Sequence, residues 1–287
     1  MSESSSFAAD LHPWKLTLAY DGTDFRGWQV QPGERTIQGE LQQALGRVTG
    51  EAPLPQGSGR TDAGVHALAQ IASFALRAQI PAENLQRALN RTLPESIRIL
   101  AAKNVPNTFH ARHSAVAKTY EYRVRLTMPG CEVVCSPFLA RYVYAFPWPL
   151  DLNELESAAQ HFVGEHDFVS FAATDPDSTT RNERTTDAQS TNLEEQHSTI
   201  RTIFSSTWEK QGTEDVDLLL YRVRGNGFLH HMVRNLVGTM LDVGRGHLKV
   251  EAIPGIFAAR SRSAAGPTAP ARGLFLHSVD YKNVHSK

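Results

Sequence analysis

Cysteine is nearly absent from this 287-residue chain: Cys131 and Cys135 are the two it has, both in the loop-like segment from Met128 to Pro137. Two thiols with no second pair and no suitably spaced histidines cannot close a structural zinc site, so both are expected to be reduced and structural. The twelve histidines are scattered, and the one adjacent pair, His230-His231, should point to opposite sides of whatever element carries it, so no metal is expected. Long apolar runs are missing too. No segment approaches the roughly 20 apolar residues of a transmembrane helix. Residues Met1 to Ser6 lack a basic stretch followed by an apolar one, so no secretory signal is expected and the cytoplasm is the expected location. Excess positive charge is also lacking, with 29 Lys and Arg against 30 Asp and Glu for a net charge of −1. Any affinity for nucleic acid must therefore come from local clustering of basic residues. Neither phosphate-loop fingerprint is present, because Gly57-Ser-Gly59 is followed by Gly64 rather than by the glycines or the lysine that G-x-G-x-x-G and G-x-x-x-x-G-K-[ST] demand.

What is present is apolar material, 41% of residues, enough to bury a substantial core. Lys15 to Tyr20 alternates with the period of a strand. From Thr36, Ile37, Leu41, Ala44, Leu45 and Val48 recur at helical spacing until Gly50 stops them. A strand over Gln70–Leu76, a helix over Pro81–Leu93 and a strand over Ile97–Ala101 complete a first α+β half, residues 14–110. The second half, residues 111–284, opens with a strand over Thr119–Leu126 that puts Tyr120, Tyr122, Val124 and Leu126 on one face and Glu121, Arg123 and Arg125 on the other. Asp151 and Glu154 start a helix in the manner of a capping box, and Gly164 closes it. A strand over Leu218–Arg224, a helix over Leu229–Val243 and a strand over Gly273–Tyr281 follow. Residues 174–199 hold ten Ser or Thr, one large aliphatic residue, Leu193, and a local charge of −4 that leaves +3 for the rest of the chain. They cannot bury enough apolar surface to offset their ordering entropy, so a mobile, disordered polar insertion is expected there. The fold class is α+β, with a mostly antiparallel sheet flanked by helices and a cleft between two similar halves.

The most informative stretch is Gly57-Ser-Gly-Arg-Thr-Asp-Ala-Gly-Val-His66. It suspends Asp62 on a loop with glycines on both sides and Arg60 two residues before. Gly57, Gly59 and Gly64 allow positive φ and close approach of a ligand, and Arg60 supplies a permanent cation that can clamp a phosphate or keep the acid ionised. An aspartate so placed is a nucleophile or base at neutral pH. The bland alternative is an Asx turn, the commoner use of Asp beside Gly.

That loop resembles the signature of the TruA family of tRNA pseudouridine synthases, and the resemblance extends along the chain. Tyr20-Asp-Gly-Thr-Asp-Phe-Arg-Gly-Trp-Gln29, Thr36-Ile-Gln-Gly-Glu-Leu41, Phe109-His-Ala-Arg112, Lys118-Thr-Tyr-Glu-Tyr122, Phe228-Leu-His-His-Met-Val-Arg-Asn235 and Ala271-Arg-Gly-Leu274 are similar to the family's landmarks in the family's order, from about Trp14 to Tyr281. The resemblance implies the pseudouridine synthase fold, isomerisation of uridine in the anticodon stem-loop of tRNA without metal or organic cofactor, and a homodimer. It assigns Asp62 as the catalytic aspartate, a nucleophile that attacks C1′ or assists glycal formation, and Tyr120 as the aromatic residue against the target base. Arg60 is then a phosphate anchor or a partner of Asp62. Further RNA-binding candidates are Arg26, Lys118, Arg222, Arg224 and Arg234, each alone an ordinary surface charge, while Trp28 and Phe25 are either RNA-stacking rings or buried turn anchors. The 174–199 insertion departs from the compact pattern, in which Asp167-Phe-Val-Ser-Phe171 runs directly into Arg201-Thr-Ile203.

Two rival functions remain open from sequence. A glycosidase-like hydrolase needs a second carboxylate within about 5–10 Å of Asp62, for which Asp21 and Asp24 are the candidates. A catalytically silent tRNA-binding protein needs no acid aimed at a polyanion, and the joint presence of Asp62, Arg60 and Tyr120 speaks against it.

Overall fold

The computed structural model describes residues 11–126, 135–173, 198–213 and 216–282. Most of the expected polar insertion, Cys131 and the first ten residues lie outside that set; Cys135 lies inside it as a free thiol. The chain forms two compact units, one comprising residues up to Val116 together with Phe275 onward, the other Ala117–Leu274. Each unit is a mostly antiparallel sheet flanked by helices, an α+β arrangement.

In the first unit, β1 (His12–Tyr20) buries Trp14, Leu16, Leu18 and Tyr20 at alternate positions. Each such side chain contributes about 1.5–3 kcal/mol by leaving water. Helix α1 (Ile37–Thr49) begins where the Thr36 hydroxyl accepts the Gly39 N–H. It ends at Gly50, whose φ of 75° is the left-handed cap that glycine supplies without a Cβ penalty. The two-residue β2 (Gln56–Gly57) pairs with β3 (His66–Leu76), which also runs antiparallel to β1 and parallel to the C-terminal strand. Helix α2 (Ala82–Thr92) buries Leu85 and Leu89, and its Asn90 exchanges hydrogen bonds with the backbone of Ile99 on β4 (Ile97–Asn104), the strand beside β1.

In the second unit, β5 (Ala115–Arg125) leads through the short helix α3 (Pro137–Ala140) and the short strand β6 (Tyr144–Ala145) to α4 (Leu152–Gln160), capped by Asp151. Strands β7 (Gly164–Asp167), β8 (Ile200–Thr213) and β9 (Val216–Gly225) follow; β5 pairs with β9, β9 with β8 and β8 with β7, all antiparallel. The register sets Tyr120 opposite Val223 and Glu121 opposite Arg222. Strand β8 was legible only at its start. A β-bulge at Phe204 breaks its alternation, so that Ile203 and then Ser206 and Trp208 are the buried positions.

Helix α5 (Met232–Gly244) packs against this sheet, the Trp208 indole N–H reaching Met240 Sδ at 3.3 Å. Helix α6 (Ile253–Ala259) packs on residues 168–171, its Phe257 ring against Phe168 and Phe171, and the loop to Arg272 closes over α5. Gly238 sits so near that loop that a Cβ would lie 1.6 Å from the Pro267 oxygen. The final strand, β10 (Leu274–Tyr281), enters the first unit beside β3. One expectation is corrected here. His230 and His231 do not point to opposite sides; their ring centroids lie 4.0 Å apart, the planes tilted by 34°. His231 has a φ of 58° in the turn that starts α5, so the alternation of a regular element does not apply.

Candidate active site

Residues 58–65 bridge β2 and β3, and their backbone is held from several directions. The Ser58 N–H donates to Ile71 O at 2.7 Å, the Trp28 N–H to Thr61 O at 3.0 Å, the Gly64 N–H to Phe25 O at 3.3 Å, and the Val65 N–H back to Asp62 O at 3.1 Å. Asp62 thus opens a reverse turn. Gly64, its third residue, has a φ of 77°, a position that favours glycine. Gly57 is required for a different reason from the positive φ expected of it: a Cβ there would lie 2.6 Å from the Trp28 ring. Within this loop Thr61 is buried, Asp62 is half-buried and Arg60 is exposed.

The segment from Tyr20 to Gln29 belongs to the same construction. Its Gly22 N–H donates to His66 Nδ1 at 3.1 Å, and a Cβ on Gly22 would lie 1.9 Å from Val65 O. Gly27, with a φ of 90°, passes so near that a Cβ would lie 2.6 Å from Thr61 O and 3.1 Å from the Asp62 carbonyl carbon. Phe25 and Trp28 are both buried, each 2% exposed, so they are turn anchors under the loop. Asp21 accepts from the Thr23 N–H and hydroxyl and lies 3.2 Å from His66 Nδ1, while the His66 ring stacks on Phe275. Arg26 is exposed and pairs with Glu34 at 3.3 Å.

Beneath the loop lies a buried polar network that sequence reading missed. Tyr20 and Thr61 share a hydrogen bond at 2.8 Å between their hydroxyls, and Gln70 donates to Gly59 O at 2.9 Å while accepting from the Ser58 hydroxyl at 2.6 Å and the Ile71 N–H at 3.1 Å. Burial pushes the Tyr20 phenol up to about 12, so it stays protonated at neutral pH. The available signal was Gln70 itself, a large amide inside the apolar run His66-Ala-Leu-Ala-Gln-Ile-Ala-Ser-Phe. Such a side chain is buried only when its amide is satisfied.

In the second unit, Tyr120 lies on β5 at 7% exposure, with Phe228 edge-on at 5.0 Å. Its neighbour on the same face, Tyr122, is structural. It is fully buried, its hydroxyl donates to Pro270 O at 2.8 Å, and its ring fills the space a Cβ on Gly273 would take. Burial pushes this phenol well above its usual range. By strand alternation Lys118 shares the Tyr120 face, whereas Arg222 and Arg224 stand on the opposite one with Glu121. Arg222 contacts Glu121 at 2.9 Å and Glu209 at 3.0 Å, and Arg123 contacts Glu121 at 2.8 Å. Burial works against ionisation of Glu121, but these two guanidinium groups outweigh it and hold the carboxyl below its ordinary range. The Arg224 guanidinium lies 5.2 Å from the Phe204 ring centroid, and Arg234 on α5 donates to Ala269 O at 2.8 Å.

Comparison with known proteins yields a consistent match. The sequence profile described as tRNA pseudouridine synthase fits residues 17–114 and 158–282, the two stretches that carry Asp62 and most of the second unit's site residues. A protein of Solibacter usitatus named tRNA pseudouridine synthase A is 50% identical over 268 residues, covering 93% of this chain and 98% of the relative. Proteins of the same name from Bacillus pumilus and Moorella thermoacetica are 41% and 42% identical, covering 94% and 93% of this chain and 99% and 98% of the respective relatives.

Proposed function

Because the chain belongs to the tRNA pseudouridine synthase family, we propose that it isomerises uridine to pseudouridine in the anticodon stem-loop of tRNA, with Asp62 as the catalytic nucleophile. The reaction breaks the N1–C1′ bond, rotates the freed uracil, and forms a bond from C5 to C1′. The C5 proton leaves to solvent and N1 takes up a proton, so the product is an isomer of the substrate. Asp62 either adds to C1′ or assists formation of a glycal while the base turns. The observation that carries the reading is the half-buried Asp62 on a loop whose backbone is fixed on both sides, since fixed geometry is where a positioned catalytic group gains its rate.

Tyr120 is the aromatic platform for the extruded base in this reading. Flipping costs a few kcal/mol, and stacking returns about 1–3 kcal/mol per base while the ring stays free to turn in its plane. Its phenol is also the candidate acceptor for the C5 proton. Arg60, exposed beside Asp62, supplies the directional cation for a neighbouring phosphate. Arg26, Lys118, Arg224 and Arg234 are the further RNA-contact candidates; Arg222, already held by two glutamates, has the smallest share. A homodimer acting in the cytoplasm fits the family reading. No helix among the described residues is long and apolar enough to cross a membrane.

The test is release of tritium from tRNA labelled at uridine C5. The wild type should release it, and Asp62→Ala should lose release while keeping tRNA affinity. Absence of release from any tRNA with the wild type would return the chain to the class of non-catalytic RNA binders.

A further inference from the structure

The side chains in and under the Asp62 loop include a cluster of neutral polar groups that are almost wholly buried: Ser58 and Gln70 are 0% exposed, Tyr20 4% and Thr61 6%. Burying a hydroxyl or amide costs free energy unless it is hydrogen-bonded, so a cluster of them in a core strand needs a reason. Their partners give one. Gln70 grips the loop at Ser58 and at Gly59 O, immediately before Arg60, and Tyr20 grips it at Thr61, immediately before Asp62. The Trp28 N–H holds the carbonyl of the same Thr61. Both gripping side chains come from strands, β1 and β3, which are paired along most of their length.

We infer that Tyr20, Thr61 and Gln70 are positioning residues for the reaction: they transmit the rigidity of the β1–β3 pair to the backbone that carries Arg60 and Asp62. The inference rests on the reading of Asp62 as the catalytic nucleophile. None of the three meets substrate in this scheme. Thr61 is the joint, because its hydroxyl is tied to Tyr20 and its carbonyl to Trp28, so its side chain and the peptide that leads to Asp62 are both held. A displacement of the following Cα by about 1 Å is enough to cost on the order of 100-fold in rate.

Thr61→Val keeps the shape and removes the hydroxyl, Thr61→Ser keeps the hydroxyl, and Tyr20→Phe removes the same bond from the other side. Single-turnover tritium release should fall between ~10- and ~100-fold in Thr61→Val, with the Kd for tRNA unchanged, and return to within a few-fold of wild type in Thr61→Ser. Combining Thr61→Val with Tyr20→Phe should cost little more than the larger single effect, since both remove the Tyr20–Thr61 bond and Tyr20→Phe loses besides it only the 3.5 Å contact from the Gln70 amide. Gln70→Leu should behave as Thr61→Val does. Amide hydrogen exchange supplies a readout independent of chemistry, with exchange across residues 59–65 rising in Thr61→Val and exchange in β1 and β3 unchanged. An active wild type whose Thr61→Val and Gln70→Leu variants keep both its rate and its loop protection overturns the inference. A wild type that releases no tritium, combined with raised loop exchange in Thr61→Val, overturns the isomerase reading and leaves the loop support standing.

Discussion

Replacing Gly27 by alanine tests whether the two glycine-bearing segments of the first unit act as one device. Gly27 has a φ of 90°, and an added Cβ would lie 2.6 Å from Thr61 O, 3.1 Å from the Asp62 carbonyl carbon and 3.2 Å from the Ala63 nitrogen. Carbon and carbonyl oxygen approach comfortably to about 3.3–3.6 Å, so the loop must recede by roughly 0.7 Å or more to admit the methyl group. The Trp28 N–H bond to Thr61 O at 3.0 Å resists that movement. Backbone strain of about 1–3 kcal/mol and overpacking of similar size lower stability without unfolding a domain worth about 5–15 kcal/mol. The larger effect falls on chemistry: single-turnover release of the C5 tritium should drop on the order of 100-fold, with tRNA affinity retained. Gly33→Ala is the control, because Gly33 has a φ of 75° and nothing within 4 Å of its added Cβ. It shares the strain and lacks the push, so it should lose stability and keep its rate. Wild-type turnover in Gly27→Ala, or an equal loss of rate in Gly33→Ala, would refute the claim that Gly27 sets the position of Asp62.

Other consequences concern the second unit. Tyr120→Phe should keep the edge-on contact with Phe228 and bind tRNA normally while turning over slowly, whereas Tyr120→Leu should also weaken binding by about 1–3 kcal/mol; equal kinetics for the wild type and Tyr120→Phe would remove the phenol from the chemistry. Lys118→Ala should lower the dependence of log K on log salt by about one ion, while Arg222→Ala should leave that slope alone and reduce unfolding stability by about 1–2 kcal/mol. A slope change in Arg222→Ala as large as that in Lys118→Ala would reverse the assignment. Because Arg123 and Arg222 hold the folded Glu121 carboxyl below its ordinary range, the stability it contributes is complete above the unfolded value of about 4.3 and is lost as pH falls through the folded value. The stability gap between wild type and Glu121→Gln should therefore be full at neutral pH and close in acid, as urea unfolding across that range will show.

Helix α1 was readable to its caps because Thr36 and Gly50 are local signals, satisfied by atoms within one turn of themselves. The helices begun by Pro81 and Asp151 and the alternating strands β1, β5 and β9 were readable for the same reason. Strand β8 was not, since its bulge at Phe204 shifts the buried set by one residue and destroys the period that marks a strand. The start of β3 at His66 was hidden inside the glycine-rich run, where sequence marks a loop and the partner strand marks a ladder. Asp62 and Arg60 stood out by residue type and by the glycines around them, whereas Tyr120 was singled out by the family resemblance. What supports the Asp62 loop did not stand out, because Tyr20, Thr61 and Gln70 are separated by as many as 50 positions and become a network only when β1 and β3 pair. The roles of Gly22 and Gly27 were equally silent, for the atoms that forbid a Cβ there belong to Val65 and Thr61.

A catalytic carboxylate that must meet a sugar in a polyanionic substrate faces two opposed requirements. It has to be open enough to reach the ribose, which denies it the close packing that fixes core side chains, yet an error of about 1 Å is costly. Charged supports would tie its position to pH and salt, and they would also compete with the substrate's phosphates for Arg60. Neutral supports placed under the backbone avoid both problems: the Tyr20 phenol stays protonated, the Gln70 amide does not titrate, and the Trp28 and Gly64 N–H groups cannot be screened away. The glycines then mark where two backbones approach more closely than any Cβ permits. Substitutions in the Tyr20–Gln29 segment should accordingly register in the rate of chemistry before they register in RNA affinity, although Arg26, an RNA-contact candidate, is exposed there.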